Sequence, residues 1–256
     1  MKCLLSLIIV FSTLFSFAQT KPESIIKKYP NGKLMYKGTF LNNKPVGELL
    51  RYYKNGSIKA KMFYSGEYVE AKLYNNRAVL TAVGRFHNCE KDSLWSYYRK
   101  GQVISQDLYD DGHKNGICKL YFLTGELKEE CCWQNDKKSG VWRRFDRYGV
   151  KLFEGHYIDS ELNGKFVTYR GSGKINSVGN FVDSAKDGKW TYYDNTGRVR
   201  LIVLYKDGEP NKDLSEKNVN YLRAKMESER KYTDPEEYMD YPEEYIMKEL
   251  HGRGRR

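Results

Sequence analysis

From Gly173 the chain reads GKINSVGNF, where Ile175, Ser177, Gly179 and Phe181 fall on every second position. A period of two predicts a β-strand with one face turned inward. A polar stretch follows, then a second strand through GKWTYY, then a turn such as NTG or KNG. Two strands, one polar connection and one tight turn read as a β-hairpin. The hairpin recurs. Gly101, Gly125, Gly149, Gly173 and Gly197 are spaced by 24 residues, Gly32 and Gly56 keep the same step, and Ala78 replaces the glycine in a shortened unit. These seven glycines are read as turn glycines.

Numbering each unit from its turn glycine as position 0 gives columns. Position 8 is Phe40, Tyr64, Phe86, Tyr109, Trp133, Tyr157, Phe181 and Tyr205. Position 15 is usually glycine (Gly47, Gly116, Gly140, Gly164, Gly188), position 17 is large (Leu49, Trp95, Trp142, Phe166, Trp190), and position 20 is aromatic (Tyr52, Tyr98, Tyr121, Phe145, Tyr169, Tyr193). The fold class expected is all-β: an elongated single-sheet ribbon of tandem antiparallel hairpins over residues 29–210, with a short C-terminal helix. Residues 59–80 depart from the columns and predict a kink or an irregular hairpin.

The turn also fixes a register. If the turn in FLTGEL is a two-residue loop, Leu123 pairs with Glu126, Trp142 faces Gly155, Phe166 faces Gly179, and Gly140, Gly164 and Gly188 face Tyr157, Phe181 and Tyr205. Rings over cross-strand glycines pin a sheet's register. On this count a three-residue loop with a bulge loses the match of large on small. Positions 2, 8 and 17 then share one face, and position 20 points to the other. The same count sets Cys118 opposite Cys131 as a non-hydrogen-bonded pair, close enough for a disulfide, which is the pairing expected in an exported protein. Free thiols are the alternative. Cys132 faces away and Cys89 lies two units off, so no metal set is expected.

The polar connections, read as long loops, carry Asn42, Asn88, Asp111, Asn135, Asp159 and Asp183 at position 10. Such a row could suggest calcium; side chains folding back on their own backbone in the polar loops are the preferred reading.

The ends differ from the middle. MKCLLSLIIVFSTLFSFAQT, with Lys2 before an apolar run and small residues at Ser16 and Ala18, reads as a signal peptide over 1–18; the run is short for a membrane anchor, the rival reading. Residues 19–28 are read as a cap, and 211–232 as a helix with Val219, Leu222 and Met226 on one stripe, capping the other edge. Residues 233–256 carry PEEY twice and are read as a disordered tail, with a linear motif as the alternative.

Composition sharpens this. With 40% hydrophobic residues and 22 Tyr, the chain suits a thin sheet with an aromatic apolar surface, not a thick aliphatic core. The net charge is +11, while residues 211–256 hold ten basic against eleven acidic side chains, so the repeat body carries the positive charge.

The unit GKINSVGNFVDSAKDGKWTYY resembles the MORN repeat variant of YwqK-type antitoxin-like and exported bacterial proteins, over about Tyr29 to Gly208. The resemblance implies a ribbon of side-by-side hairpins used for binding or scaffolding, and supplies no catalytic residues.

For function the expectation is a non-enzymatic exported scaffold that binds protein or peptide through Tyr98, Tyr121, Phe145, Tyr169 and Tyr193. Alternatives are a binder of anionic membrane or glycan surfaces through the basic ribbon, and an antitoxin or immunity protein. Nucleic acid is not expected, since no recognition motif accompanies the charge. His87, His113, His156 and His251 stand in unrelated contexts, no nucleophile or phosphate-binding motif occurs, and Glu129 and Glu130 point to opposite faces. No catalytic residue and no cofactor are expected.

Overall fold

The computed structural model describes residues 21–211. The expected signal peptide, the helix over 211–232 apart from Asn211, and the tail lie outside the described residues. Within them the chain forms one antiparallel sheet of nineteen strands, running from Glu23–Lys28 to Glu209–Pro210 without a helix. Successive long strands pair antiparallel, and the two-residue strands His113–Lys114 and Glu161–Leu162 fold back on Gln102–Asp110 and Lys151–Ile158, which also pair with Gly116–Tyr121 and Gly164–Tyr169. The expected N-terminal cap includes the strand Glu23–Lys28, which pairs with Leu34–Leu41 across the turn at Gly32.

Two assumptions about turns need correction. First, the glycine turns are three-residue loops. Gly125 N donates to Phe122 O at 3.0 Å and Phe122 N to Glu126 O at 2.9 Å, and the same pair of bonds recurs at Gly32, Gly56, Ala78, Gly149, Gly173 and Gly197. The residue at position 0 takes φ from 61 to 102° in these loops, the left-handed conformation that closes a type I turn with a bulge. Gly101 is the exception. It follows Lys100 in a two-residue loop, both with positive φ, between Arg99 and Gln102, which is why the unit from Ala78 to Gly101 is one residue short.

Second, the connections at position 10 are not long loops. Asp159 and Ser160 (φ 52 and 73°) form a two-residue turn between Ile158 and Glu161, and Asn42, Asn88, Asp111, Asn135 and Asp183 begin equivalent turns. Asn and Asp serve here because they tolerate left-handed backbone. Neighbouring turns are tied together: Ser160 N donates to Lys138 O at 2.8 Å and Lys138 N to Ser160 Oγ at 3.1 Å. The fold-back bonds occur instead at the glycine turns, where Asp146 Oδ1 accepts from Tyr148 N and Val150 N.

The expected register nevertheless holds in the strand centres. Trp142 pairs with Gly155, Phe166 with Gly179, and Gly140, Gly164 and Gly188 with Tyr157, Phe181 and Tyr205. A bulge reconciles the three-residue loop with this pairing: Phe145 pairs with Lys151 but Arg144 with Phe153, leaving Leu152 as an extra residue at position 3. The same shift recurs in each unit. It reverses the alternation, so position 2 shares a face with position 20 and not with positions 8 and 17.

A second shift lies inside most hairpins at position 15, a glycine or, after Ala78, Ser93; Val178 pairs with Thr191 but Asn180 with Asp187. Residues 58–74 lack it and pair without interruption. The unit between Gly56 and Ala78 is therefore two residues short because it is more regular, not because it is kinked.

The packed face carries positions 4, 6, 8, 17 and 19. Trp95 is 1% exposed, and Trp142, Phe153, Tyr157, Phe181, Trp190 and Tyr205 are buried with it. A single layer buries such rings because each lies on bare backbone. A Cβ on Gly179 would stand 2.1 Å from Cδ2 of Trp190, and one on Gly155 2.6 Å from Cδ2 of Phe166. Trp95, Phe166 and Trp190 cover Gly84, Gly155 and Gly179, the position-6 glycines of their own hairpins, while the register partner of each ring is the position-6 residue of the next unit. Trp142 meets Phe153 at 4.2 Å between centroids and Phe166 meets Phe181 at 5.1 Å, giving a continuous aromatic ladder worth about 0.5–1.5 kcal/mol per ring pair beyond burial.

Candidate functional site

The ladder has a second component that the sequence columns did not single out. Position 13 is Lys91, Lys114, Lys138 and Lys186, with Pro45, Val69, Leu162 and Pro210 in the other units. Lys91 Nζ lies 5.1 Å from the Trp95 ring centroid and Lys186 Nζ 4.9 Å from Trp190. Lys138 is only 6% exposed and sits among Trp133, Trp142 and Tyr157, 4.8 Å from the last. Each lysine places its ammonium on ring faces, a contact of about 0.5–2 kcal/mol when desolvated.

The ladder is interrupted once in this region. Position 17 of the unit starting at Gly101 is Cys118, where neighbouring units have Trp95 and Trp142, and position 6 is Asp107 and Cys131 in the two adjoining units instead of glycine. Loss of the ring opens a cleft of about 310 Å³, lined among others by Ser105, Asp107, Lys114, Cys118, Glu129 and Trp133.

Its walls are charged yet internally paired. Asp107, 7% exposed, accepts from Ser105 Oγ at 3.0 Å and meets Lys114 Nζ at 3.3 Å. Burial by itself would lower the Lys114 pKa, but Asp107 and its neighbours hold it above the ordinary lysine value. Glu129 accepts from Trp142 Nε1 at 3.0 Å. At the mouth, Asp136 accepts from Lys114 N at 2.7 Å and meets His113 Nδ1 at 2.6 Å. Burial opposes ionisation of Asp136, yet these donors hold its carboxyl below the usual value, and hydrogen bonding to Asp136 raises the His113 pKa.

Cys118 and Cys131 are register partners and both are buried, but they are free thiols. The expected disulfide is therefore corrected. Its warrant was a count from a two-residue turn; the real loop has three residues and a bulge at Lys128, so the inferred alternation of wide and narrow pairs does not apply. Burial pushes the Cys118 thiol up to about 11, with Asp107 adding to it, and burial raises Cys131 further. Neither is poised as a nucleophile at neutral pH. Among the described residues no cluster of three or more His, Cys, Asp or Glu side chains is grouped to hold a metal ion.

Tyr98, Tyr121, Phe145, Tyr169 and Tyr193 stand half-buried on the opposite face, each paired with a position-2 residue such as Leu127 or Ile175. Among the described residues they make no ring contact with one another, unlike the position-8 and position-17 rings of the packed face. Tyr121 Oη donates to Gln106 Oε1 at 2.6 Å, and Lys151 Nζ lies 4.7 Å from the Tyr169 centroid. Beside them Arg143 bridges Glu130 and Glu154 at 2.9 and 2.8 Å, and Lys151 meets Glu154 at 2.8 Å. Hydrogen bonds from Lys151 and Arg143 hold the Glu154 pKa at about 2. Glu129 and Glu130 thus serve different faces.

The cleft was legible in principle. A ring missing from column 17 at Cys118 and acidic Asp107 in a glycine column are visible once the units are aligned; what they open is not.

Comparison with known proteins bears on the repeat. A search of curated proteins finds no match. Among solved structures, a mutant of S. aureus TarM in complex with fondaparinux, α-GlcNAc-glycerol and UDP is 12% identical over 45% of this chain and 21% of that one, with a TM-score of 0.29. The complex TcdB2-TccC3-Cdc42 is 12% identical over 76% of this chain and 12% of that one, with a TM-score of 0.22. A porin-like protein from Bacteroides uniformis is 8% identical over 74% of this chain and 91% of that one, with a TM-score of 0.17. The chain thus spans about a fifth and about an eighth of the first two. Residues 26–42, 45–65, 114–135 and 186–207 match the family model of the MORN repeat variant. Each matched segment lies in the hairpin array, and the third runs through the cleft from Lys114 past Cys131.

Proposed function

We propose that the chain is a non-enzymatic exported scaffold that binds a protein or peptide on the face carrying Tyr98, Tyr121, Phe145, Tyr169 and Tyr193. One observation carries the reading. On that face, aromatic side chains stand half-buried and unstacked beside the Glu130–Arg143–Glu154–Lys151 network, whereas the rings of the other face are consumed in packing. Aromatic groups rimmed by fixed charges are the composition of interface hot spots. Export rests on the apolar N-terminal run from Cys3 to Phe17 with small residues at Ser16 and Ala18. An antitoxin or immunity role is a special case, with a toxin as the partner.

The test is crosslinking to a partner in the native envelope, comparing the full chain with Tyr121→Ala and Tyr169→Ala. Loss of the crosslinked species with an unchanged circular dichroism spectrum is expected; retention in both variants would refute the reading. The net charge of +11, concentrated in the repeat body, favours a second reading as a binder of anionic surfaces. Vesicle binding that falls steeply between low and high salt supports that alternative.

A further inference from the structure

We propose that the cleft at Cys118 receives an aromatic side chain of a bound peptide, seated as the missing rung of the ladder. The site lies on the face opposite the position-20 residues, so it stands or falls separately from the reading above.

The repeat itself supplies the argument. In the units on either side, position 17 is an indole, Trp95 or Trp142. Where position 13 is Lys91 or Lys186, the ammonium lies 5.1 or 4.9 Å from the centroid of its own unit's indole. Lys114 occupies that same position with no ring of its own beneath it; it turns instead to Asp107 and to Trp133, 4.9 Å from the centroid. The gap therefore keeps the position-13 cation and the position-8 ring of the repeat, with Asp107 and Cys131 in the glycine column as its polar floor.

The volume and charge agree with such a guest. About 310 Å³ lies at the small end of ligand pockets and exceeds what one ring needs. Because Lys114 and Asp107 are already paired, a neutral ring leaves no new buried charge uncompensated, whereas an anion or cation would. Ser105, Asp107 and Glu129 supply oxygens to accept an indole N–H or a phenol O–H. Leu120 and Trp133 complete an apolar wall.

The experiment is a fluorine NMR titration of the full chain with 5-fluoroindole, with N-acetyl-leucinamide as competitor. Saturable binding that the aliphatic competitor does not displace is expected. Cys118→Trp refills the rung from within and should weaken binding at least tenfold. Should that variant not fold, Cys118→Leu, the residue type at position 17 of the first unit, decides the matter with the same expected loss. Absence of saturable binding, equal binding by a folded Cys118 variant, or displacement by N-acetyl-leucinamide overturns the proposal. If 5-fluoroindole binds only after Tyr238, Tyr241 and Tyr245 are all replaced by Ala, the occupant is the chain's own tail, which likewise overturns the assignment to a foreign peptide.

Discussion

At the scale of single residues, glycines in this repeat answer to two different physical demands. At position 6 the demand is space: Gly179 has the Trp190 ring 2.1 Å from where a Cβ would sit. At position 0 the demand is backbone conformation: Gly149 has φ 78° and open space around it. Gly179→Ala should destabilise by about 3 kcal/mol through displacement of a buried ring, and Gly149→Ala by about 1–2 kcal/mol through left-handed strain; urea denaturation of the two variants distinguishes them. Glu154 gives a pH prediction. Its folded pKa of about 2 lies below the unfolded value of about 4.5. A depressed carboxyl contributes stability that is present above the unfolded pKa and lost as pH falls toward the folded one. The wild type should therefore lose about 1 kcal/mol, after solvent screening, between pH 5 and roughly pH 2, relative to Glu154→Gln measured across the same range. The sequence made the glycine columns visible, but not that the two columns serve unlike purposes, because spacing carries no φ.

At the scale of the element, the hairpin is defined by its irregularities. The bulge at position 3 and the shift at position 15 decide which columns meet. The large-on-small register was legible because both errors in counting, a loop one residue longer and a bulge one residue wide, cancel in the strand centres. They do not cancel beyond the bulge, so the facing of position 2 and the alternation at Cys118 and Cys131 were misread. The turn at Ala78 offers a direct check. Ala78 holds φ 61° where other units place glycine, so Ala78→Gly should stabilise by about 1 kcal/mol and raise the Tm by about 2–4 °C in calorimetry.

At the scale of the whole molecule, the sheet is a one-dimensional stack in which each hairpin contacts its neighbours. Stability in such arrays is a sum over units and interfaces. Deleting residues 149–172, one full repeat from turn glycine to the residue before the next, should leave a folded β-protein with a lower Tm. Deleting residues 149–160 should abolish cooperative unfolding, since half a repeat brings the wrong faces together; thermal melts followed by circular dichroism separate the two. What the sequence by itself determined is the period: glycines every 24 residues and rings in fixed columns force tandem hairpins and a single antiparallel sheet, because local turn geometry and strand alternation are short-range properties. Only the tertiary structure decided which rings stack, that position-13 lysines cap them, and that the absence of one ring at Cys118 leaves a cleft. Those outcomes depend on where a bulge turns a side chain, and on contacts between residues that the chain separates by one or two whole repeats.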